Sequence, residues 1–302
     1  MRAVVLDEYG GPERLQVREV NDPRPGPGEL LVRLAATSVN PFDWKQRSGA
    51  TRAFAPLRFP AILGHDASGE VLEVGPGVAS FGRGDRVLGN PVPSAYAEKV
   101  AAPASVWARL PAGLDLVEAA ALPAVGLTGA QLVDEAVSPR PGQTVLVAGA
   151  VGSVGRVAVY VARKRGARVL AGVRALQKAS AAGLGAEGVV ALDDDRELAA
   201  LPELDALADT VGGETAARLV QKVKRGGVVG SVLGEPAGAK ERGLVVHAIV
   251  AHGDARRLGE LAEAMARGEL VIPIARRFRL AEAAAAHALA ERGGVGKVLL
   301  AP

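Results

Sequence analysis

The chain has 302 residues, of which 49% are hydrophobic but only 3% aromatic, and its formal net charge is +3. This length suits about two domains, and the small basic excess without a long basic run argues against a nucleic-acid partner. The absence of cysteine excludes disulfides, thiolate nucleophiles and cysteine-bearing zinc sites. No apolar run has the length of a membrane helix and no signal-peptide pattern follows Met1, so we expect a cytoplasmic protein without a membrane partner.

The N-terminal part is predicted to be mainly antiparallel β structure. Strand patterns begin at Arg2, Leu15, Glu29, Glu70 and Ala95, and turns rich in glycine and proline separate them. Two short helices are predicted from Glu118 and from Gly126. After Gly142 the pattern changes to alternating strands and helices, which indicates a second domain with a parallel sheet.

The segment that defines this second domain is Gln143–Gly155. Thr144–Val147 reads as a strand buried on both faces, glycines follow at 149, 152 and 155, and a helix pattern continues from Arg156. A strand, a glycine turn and a helix allow a pyrophosphate to approach the helix N-terminus. Ala150 stands where the first glycine of the strict G-x-G-x-x-G pattern would be, and a tight turn without ligand is the alternative. A second strand from Ala167 completes a βαβ unit, which favours dinucleotide binding.

The end of this second strand indicates which dinucleotide is bound. A carboxylate there would hold a ribose 2′-hydroxyl, but Arg174 and Lys178 follow the strand and no acid appears before Glu187. Both cations suit a 2′-phosphate, so the sequence predicts NADP(H); a solvated basic helix start is the alternative.

The remaining strands of this domain are predicted near Glu187, Ala206, Gly226 and Leu244. A helix is then predicted from Ala255 to about Arg267, a strand at Leu270–Ile274, an alanine-rich helix at Ala281–Arg292 and a final strand at Val298. No internal repeat is visible.

Several separated segments together resemble one family. They are Val39-Asn40-Pro41-x-Asp43, Gly64-His65-Asp66-x-x-Gly69, Gly84-Asp85-Arg86-Val87, Tyr96-Ala97-Glu98, Leu110-Pro111, Gly126-Leu127-Thr128, the glycine turn, Asp209-Thr210-Val211-Gly212-Gly213 and Gly296-Lys297-Val298-Leu299. In this order they resemble the zinc-independent medium-chain dehydrogenase/reductase superfamily, in its quinone oxidoreductase (ζ-crystallin-like) branch.

The resemblance implies an α/β protein with two domains and NADP(H) as cofactor. A GroES-like, mainly antiparallel β catalytic domain is expected at residues 1–122 and 267–302, and a Rossmann domain with a doubly wound parallel sheet at residues 123–266. A homodimer is also implied, and the apolar run Leu244–Val250 suits a sheet edge, although a buried strand in a monomer would read alike.

The resemblance also implies the catalytic candidates Asn40, Asp43 and His65. Asn40 stands where zinc alcohol dehydrogenases of this superfamily have a ligand cysteine, so no metal site is expected. Asn40 is interpreted as the donor that positions the substrate, or else as a turn amide. Asp43 is either structural or part of a proton relay, and His65 is either a packing residue or a proton donor.

The residues expected at the cofactor come partly from the glycine turn and partly from the resemblance. Thr128 is assigned to the nicotinamide by analogy, or to its own helix turn, and the residues after the fourth and fifth strands lie near the nicotinamide or form tight turns. The full set is Asn40, Thr128, Gly149, Ala150, Gly152, Ser153, Val154, Gly155, Arg174, Lys178, Val211, Ser231, Val232 and Lys297.

The expected function is transfer of hydride from NADPH to a small-molecule quinone or activated alkene, working between two domains. An enoyl or 2-alkenal reductase on the same scaffold, and an NADPH-binding crystallin-like protein with little turnover, are the alternatives. Some members of the branch place a tyrosine after the Asn-x-x-Asp segment, but none occurs here between Tyr9 and Tyr96, which weakens the case for a quinone.

Overall fold

The computed structural model describes residues 1–91, 94–294 and 296–302. These residues form two compact units, one of Met1–Ala124 with Gly253–Pro302 and the other of Val125–His252. The C-terminal segment therefore returns to the first unit.

The strands, in chain order, are β1 (Arg2–Leu6), β2 (Gln16–Glu19), β3 (Glu29–Val39), β4 (Ala61–Ile62), β5 (Ala67–Val74), β6 (Arg86–Gly89), β7 (Lys99–Pro103), β8 (Trp107–Arg109), β9 (Thr144–Ala148), β10 (Arg168–Val173), β11 (Gly188–Ala191), β12 (Leu204–Asp209), β13 (Val223–Ser231), β14 (Val245–Ala248), β15 (Ile274–Arg279) and β16 (Lys297–Ala301). The α-helices are α1 (Pro41–Ser48), α2 (Pro123–Gln131), α3 (Ser153–Lys164), α4 (Lys178–Ala181), α5 (Asp195–Ala200), α6 (Gly213–Leu219), α7 (Ala255–Ala266) and α8 (Ala283–Glu291). Within the described residues, no helix combines the length and apolar character needed to cross a bilayer.

The first unit is built on mainly antiparallel sheets, as the alternating N-terminal patterns predict, and only β15 and β16 pair in parallel among its described strands. One sheet has the order β2-β1-β4, and the larger one runs β15-β16-β3-β5-β6-β8 with β7 also on β3. Strand β16 pairs with β3 so that Val298 lies opposite Val39, and β5 pairs with β3 on its other side. These two pairings bring the start of β16 and the start of β5 next to the end of β3.

The second unit is a parallel sheet of order β11-β10-β9-β12-β13-β14. The first βαβ unit lies in the middle of this sheet, and the strand order reverses beside β9, which is the doubly wound arrangement. Its core consists of aliphatic side chains such as Leu146, Leu204, Leu207 and Leu219, all fully buried. The low aromatic content is therefore compatible with a well-filled sheet.

Two segments differ from the sequence-based expectation. Helix α7, which was expected in the nucleotide-binding domain, belongs to the first unit, where Leu258, Leu261 and Ala262 are buried and Gly259 approaches Ala108 of β8. The strand expected at Leu270–Ile274 begins only at Ile274. Leu270 and Ile272 are buried without strand pairing, and Pro273 has no N–H to offer a neighbouring strand.

Candidate active site

The first candidate residue, Asn40, lies where β3 passes into α1. Its extended backbone makes it the N-cap of the helix, Pro41 follows at the first helical position, and Gly49 in the left-handed region ends the helix. The backbone N–H of Asn40 donates to Asp43 Oδ2 at 2.7 Å. The spacing of Asn40 and Asp43 is therefore explained locally, because the acid in the first turn satisfies the N-cap backbone.

The side chain of Asn40 is only 5% exposed and lies between two charged residues. Its Oδ1 accepts from Lys297 Nζ at 2.6 Å, and its Nδ2 donates to Asp66 Oδ2 at 2.8 Å. Asp66 also accepts from Ser38 Oγ and, through Oδ1, from the backbone N–H of Ala124 at 2.6 Å. Residues far apart in the chain thus form one buried polar cluster.

A directed series of hydrogen bonds connects Asp43 with the side chains of α8. Asp43 is fully buried and accepts from Tyr96 Oη at 3.0 Å. Because the tyrosine hydroxyl gives its only hydrogen to Asp43, it accepts from His287 Nε2, which lies 3.0 Å away. His287 Nδ1 then accepts from Arg47 Nη1 at 3.1 Å, and Arg47 also pairs with Glu291 at 2.6 Å. The contacts thus assign His287 the tautomer with hydrogen on Nε2.

His65 completes this series at the other oxygen of Asp43. Its Nδ1 lies 2.6 Å from Asp43 Oδ1, and the ring of Phe42 packs edge-on against it at 5.0 Å. The other ring nitrogen, Nε2, is buried and has no hydrogen-bond partner within the described ranges. A buried polar nitrogen without a partner is uncommon and often marks a functional position.

Electrostatics favour charge on both members of the Asp43–His65 pair. Burial raises the pKa of Asp43. The charge and hydrogen bond of His65, together with the backbone hydrogen bond from Asn40, outweigh burial and hold this pKa below its usual value. Burial likewise lowers the pKa of His65, but the charge and hydrogen bond of Asp43, together with the charge of Asp66, outweigh burial, so the pKa of His65 is raised. Burial lowers the pKa of His287 to about 4, which keeps this imidazole neutral.

The residues around Asn40 do not fit a catalytic zinc ion. The ammonium of Lys297 lies on the amide oxygen of Asn40, so a positive charge already adjoins the position where a ligand cysteine would stand. Throughout residues 1–91, 94–294 and 296–302, no group of three or more His, Cys, Asp or Glu side chains is arranged to hold a metal. The cluster instead provides hydrogen-bond donors and an imidazole whose pKa is raised.

The glycine turn of the second unit is shaped by two close backbone approaches. The N–H groups of Gly149 and Ala150 both donate to Gly172 O, at 2.9 and 3.0 Å, and Gly152 is the N-cap of α3. A Cβ at Gly155 would lie 2.1 Å from Gly149 O. This contact fixes the first turn of α3 against the turn, so that the N–H groups of Ser153, Val154 and Gly155 form a helix N-terminus suited to a pyrophosphate.

Other predicted cofactor residues lie at the carboxyl ends of β12 and β13. Ser231 is buried and donates to Asp209 Oδ2 at 2.9 Å, while Val232 N–H donates to Asp209 O at 3.2 Å. Val211 is 40% exposed, and its N–H is held by Asp209 Oδ1. Asp209 therefore organises both strand ends, a role that sequence reasoning did not assign. Thr128 lies within helix α2.

The two cations predicted to recognise a 2′-phosphate differ in their surroundings. Arg174 is exposed after β10, where its backbone N–H donates to Gln177 Oε1 at 3.3 Å. Lys178 instead pairs with Glu197 at 2.6 Å. A second acid, Asp193, accepts from the backbone of Ala175 at 2.7 Å. Sequence reasoning missed both acids because it counted along the chain, whereas they enter from the next βα unit.

The predicted site residues therefore form two groups. Asn40, Asp43, His65 and Lys297 belong to one buried cluster in the first unit, where Lys297 contacts Asn40 although it was predicted at the cofactor. The others lie in the second unit, on α2, at the glycine turn and at strand ends. Tyr96, His287 and Arg47 were not predicted as site residues, because their positions in the chain gave no spacing signal.

Comparisons with known proteins agree with this architecture. Residues 26–112 match the family model described as alcohol dehydrogenase GroES-like domain, and residues 184–300 match zinc-binding dehydrogenase. The quinone oxidoreductase of Coxiella burnetii has 29% sequence identity and a TM-score of 0.90 over 100% of this chain and 99% of that one. The Escherichia coli quinone oxidoreductase solved with NADPH has 28% identity and a TM-score of 0.87 over 100% of both.

Curated relatives lead to the same family. A Pseudomonas aeruginosa quinone oxidoreductase is 32% identical over 97% of this chain and 97% of its own length. A 2-haloacrylate reductase of a Burkholderia species is 29% identical over 99% and 98%. A chloroplast envelope quinone oxidoreductase homolog of Arabidopsis thaliana is 36% identical, and that match spans 63% of this chain and only 60% of the relative.

The predicted combination of a GroES-like unit and a Rossmann unit is thereby confirmed. The similarity to the Pseudomonas relative extends over 97% of both chains. The chain belongs to the quinone oxidoreductase branch of the medium-chain dehydrogenase/reductase superfamily.

Proposed function

We propose that this chain is an NADPH-dependent, zinc-independent reductase that adds hydride to a quinone or to an activated alkene. The observation that carries this proposal is the donor cluster around Asn40, which stands where metal-dependent members hold a zinc ligand. Reduction of either acceptor class leaves negative charge on an oxygen. A donor already oriented in a dry site stabilises such charge without reorganisation.

Asn40 and His65 have separate roles in the proposed reaction. When bound, the dihydronicotinamide supplies the hydride. For an alkene, the hydride forms the bond to the β-carbon, the π electrons move toward the carbonyl, and the oxygen of the resulting enolate accepts from Asn40 Nδ2. The α-carbon then takes a proton, for which His65 is the candidate donor because its Nε2 has no partner within the described chain.

We propose both quinones and activated alkenes as acceptors, because reduction of either one uses Asn40 as the hydrogen-bond donor. The Pseudomonas relative is named a quinone oxidoreductase, and the Burkholderia relative is named a 2-haloacrylate reductase. A hydroquinone oxygen and an enolate oxygen make the same demand on Asn40.

The preference for NADPH over NADH rests mainly on Arg174. Lys178 shares its charge with Glu197, whereas the Arg174 guanidinium has only the amide of Gln177 as a side-chain contact within the described residues. The name of the E. coli structure includes NADPH, which supports the same choice. The dinucleotide itself would lie with its pyrophosphate on the N-terminus of α3.

We expect Arg174→Gln to weaken NADPH binding about tenfold and to leave NADH binding unchanged, because only NADPH has the 2′-phosphate. Fluorescence titration with both cofactors measures this, and Arg225→Gln, which removes an exposed arginine elsewhere in the same unit, is the matched control. Equal losses for both cofactors would contradict the role assigned to Arg174.

The proposed activity is tested by following NADPH and NADH consumption with chelator-treated protein and a panel of quinones, 2-alkenals and acrylates. NADPH-specific turnover with at least one acceptor class supports the proposal. NADPH binding without turnover on any acceptor would favour a crystallin-like binding protein instead.

We also propose a homodimer that pairs through β14. This strand ends the parallel sheet, and along and just after it Val245 and Val250 are exposed, the latter by 91%. An exposed apolar sheet edge is open to strand pairing with a second copy.

A further inference from the structure

The ammonium group of Lys297 is directed at oxygens of its own unit. Its side chain is 5% exposed, and Nζ lies 2.6 Å from Asn40 Oδ1, 3.3 Å from Val39 O and 3.4 Å from Asp66 Oδ2. An ammonium has three hydrogens, and these three contacts account for all of them. Lys297 therefore has no hydrogen left to give to a cofactor.

The charged neighbours of Asn40 fix which way its amide faces. With Oδ1 toward Lys297 and Nδ2 toward Asp66, both contacts are attractive. Turning the amide by half a rotation would place its NH₂ against the ammonium and its oxygen against the carboxylate. Because the turned amide would be repelled by both Lys297 and Asp66, the observed orientation is the stable one.

This orientation limits what Asn40 can offer to a substrate. One lone pair of the amide oxygen accepts from Lys297, and one of the two Nδ2 hydrogens is donated to Asp66, so one hydrogen is left for another acceptor. Asn40 therefore offers one N–H donor to a substrate oxygen. The ammonium group of Lys297 beside the amide oxygen also polarises the amide, and this strengthens the remaining N–H of Asn40 as a donor.

We propose that Lys297 and Asp66 are positioning residues that make Asn40 a single-hydrogen donor to the carbonyl oxygen of the substrate. The inference rests on the proposed reductase function and adds to it a reason for the buried ion pair. It also separates Lys297 from the cofactor.

The direct test compares Lys297→Met with Lys297→Gln. Both side chains are uncharged and similar in length, but only glutamine has N–H donors that reach toward Asn40 Oδ1. Lys240→Met, which removes an exposed lysine paired with Glu235, is the control for the loss of a lysine. Thermal unfolding of each variant verifies that it is folded.

We expect Lys297→Met to lower kcat by about 30-fold, with NADPH Kd changed less than about twofold, and Lys297→Gln to recover about half of the lost activity on a logarithmic scale. A tenfold rise in NADPH Kd in both variants would overturn the proposal, because it would show that Lys297 acts on the cofactor.

A double substitution tests whether Lys297 acts through Asn40. In an Asn40→Ala background, Lys297→Met should change kcat less than about twofold, because the group that it positions is already gone. If the effects of the two substitutions on kcat multiply, Lys297 acts independently of Asn40 and the proposal is wrong.

A measurement on the unsubstituted protein needs neither turnover nor a variant, so it separates this proposal from the proposed function. The chain contains only three asparagines, Asn21, Asn40 and Asn90, so selective ¹⁵N labelling resolves their side-chain amides. The side-chain amide protons of Asn40 should exchange with solvent at least about 100-fold more slowly than those of exposed Asn21. The resonance of the amide proton that Asn40 donates to the Asp66 carboxylate should also be shifted. Exchange as fast as that of Asn21 would show that Lys297 and Asp66 do not hold the Asn40 amide, and would overturn the proposal even if the enzyme is active.

Discussion

At the scale of single residues, the first unit contains several charged side chains that are buried. Asp43, Asp66, Arg47 and Lys297 are all buried, and each is paired through hydrogen bonds that leave few groups unsatisfied. Buried ion pairs contribute little net stability on average, and removing one partner is strongly destabilising. The arrangement is therefore better explained by function than by stability.

His287 makes the stability of the protein depend on pH in a defined window. Its pKa is about 4 in the folded protein because of burial, against about 6.5 in the unfolded chain. Below pH 6.5 the unfolded chain therefore binds a proton that the folded chain does not. Stability is lost as the pH falls from about 6.5 to 4, by roughly 3 kcal/mol.

We expect His287→Gln to flatten the dependence of unfolding free energy on pH between about 6.5 and 4. Urea unfolding at several pH values measures this slope, and His247→Gln, at an exposed histidine, is the control. Asp43, whose pKa is lowered, contributes only at the acid end of the window. A slope unchanged by His287→Gln would contradict the neutral, buried state of this imidazole.

At the scale of elements, the glycine turn was predictable and the buried cluster was not. Gly149, Gly152 and Gly155 form their contacts within a few residues, so the sequence itself contains the pattern. Asn40, Asp66 and Lys297 meet only because β5 and β16 pair on either side of β3. The role of Glu197 beside Lys178 was likewise hidden, because it depends on how two successive βα units pack.

We expect Gly155→Ala to abolish measurable dinucleotide binding or weaken it at least about 100-fold, because a Cβ would lie 2.1 Å from Gly149 O and displace α3 from the turn. Gly183→Ala is the matched control, since nothing lies within 4 Å of a Cβ there. Calorimetric titration with NADPH measures both. Normal binding by Gly155→Ala would show that the pyrophosphate does not use this turn.

At the scale of the whole molecule, the discontinuous first unit follows from strand pairing. Because β16 completes the sheet beside β3, the last segment of the chain supplies Lys297 to a cluster that begins at residue 38. The change of pattern after Gly142 indicated the start of the parallel sheet. The later boundary was harder to place, because the amphipathic pattern of α7 suits packing against either kind of sheet.

The proposed assembly gives a prediction at the same scale. We expect the native protein to have twice the chain mass of 30.8 kDa, and Val250→Asp to shift it toward the monomer, because a charge would be buried at the paired edge. Light scattering after size exclusion measures the mass, and Val271→Asp, at another exposed valine, is the control. A monomeric native protein would contradict the pairing through β14.

We propose that Asn40 and its neighbours, without a metal ion, stabilise the oxygen charge that develops during reduction. The measurement that tests it most directly is the single-turnover rate of NADPH oxidation by chelator-treated protein with its zinc content determined, for the native chain, Asn40→Ala and the control Asn21→Ala. We predict an unchanged rate after chelation, a loss of about 100-fold in Asn40→Ala and no loss in Asn21→Ala. Activity that disappears on chelation and returns with zinc, or an Asn40→Ala variant as fast as the native protein, would contradict the account.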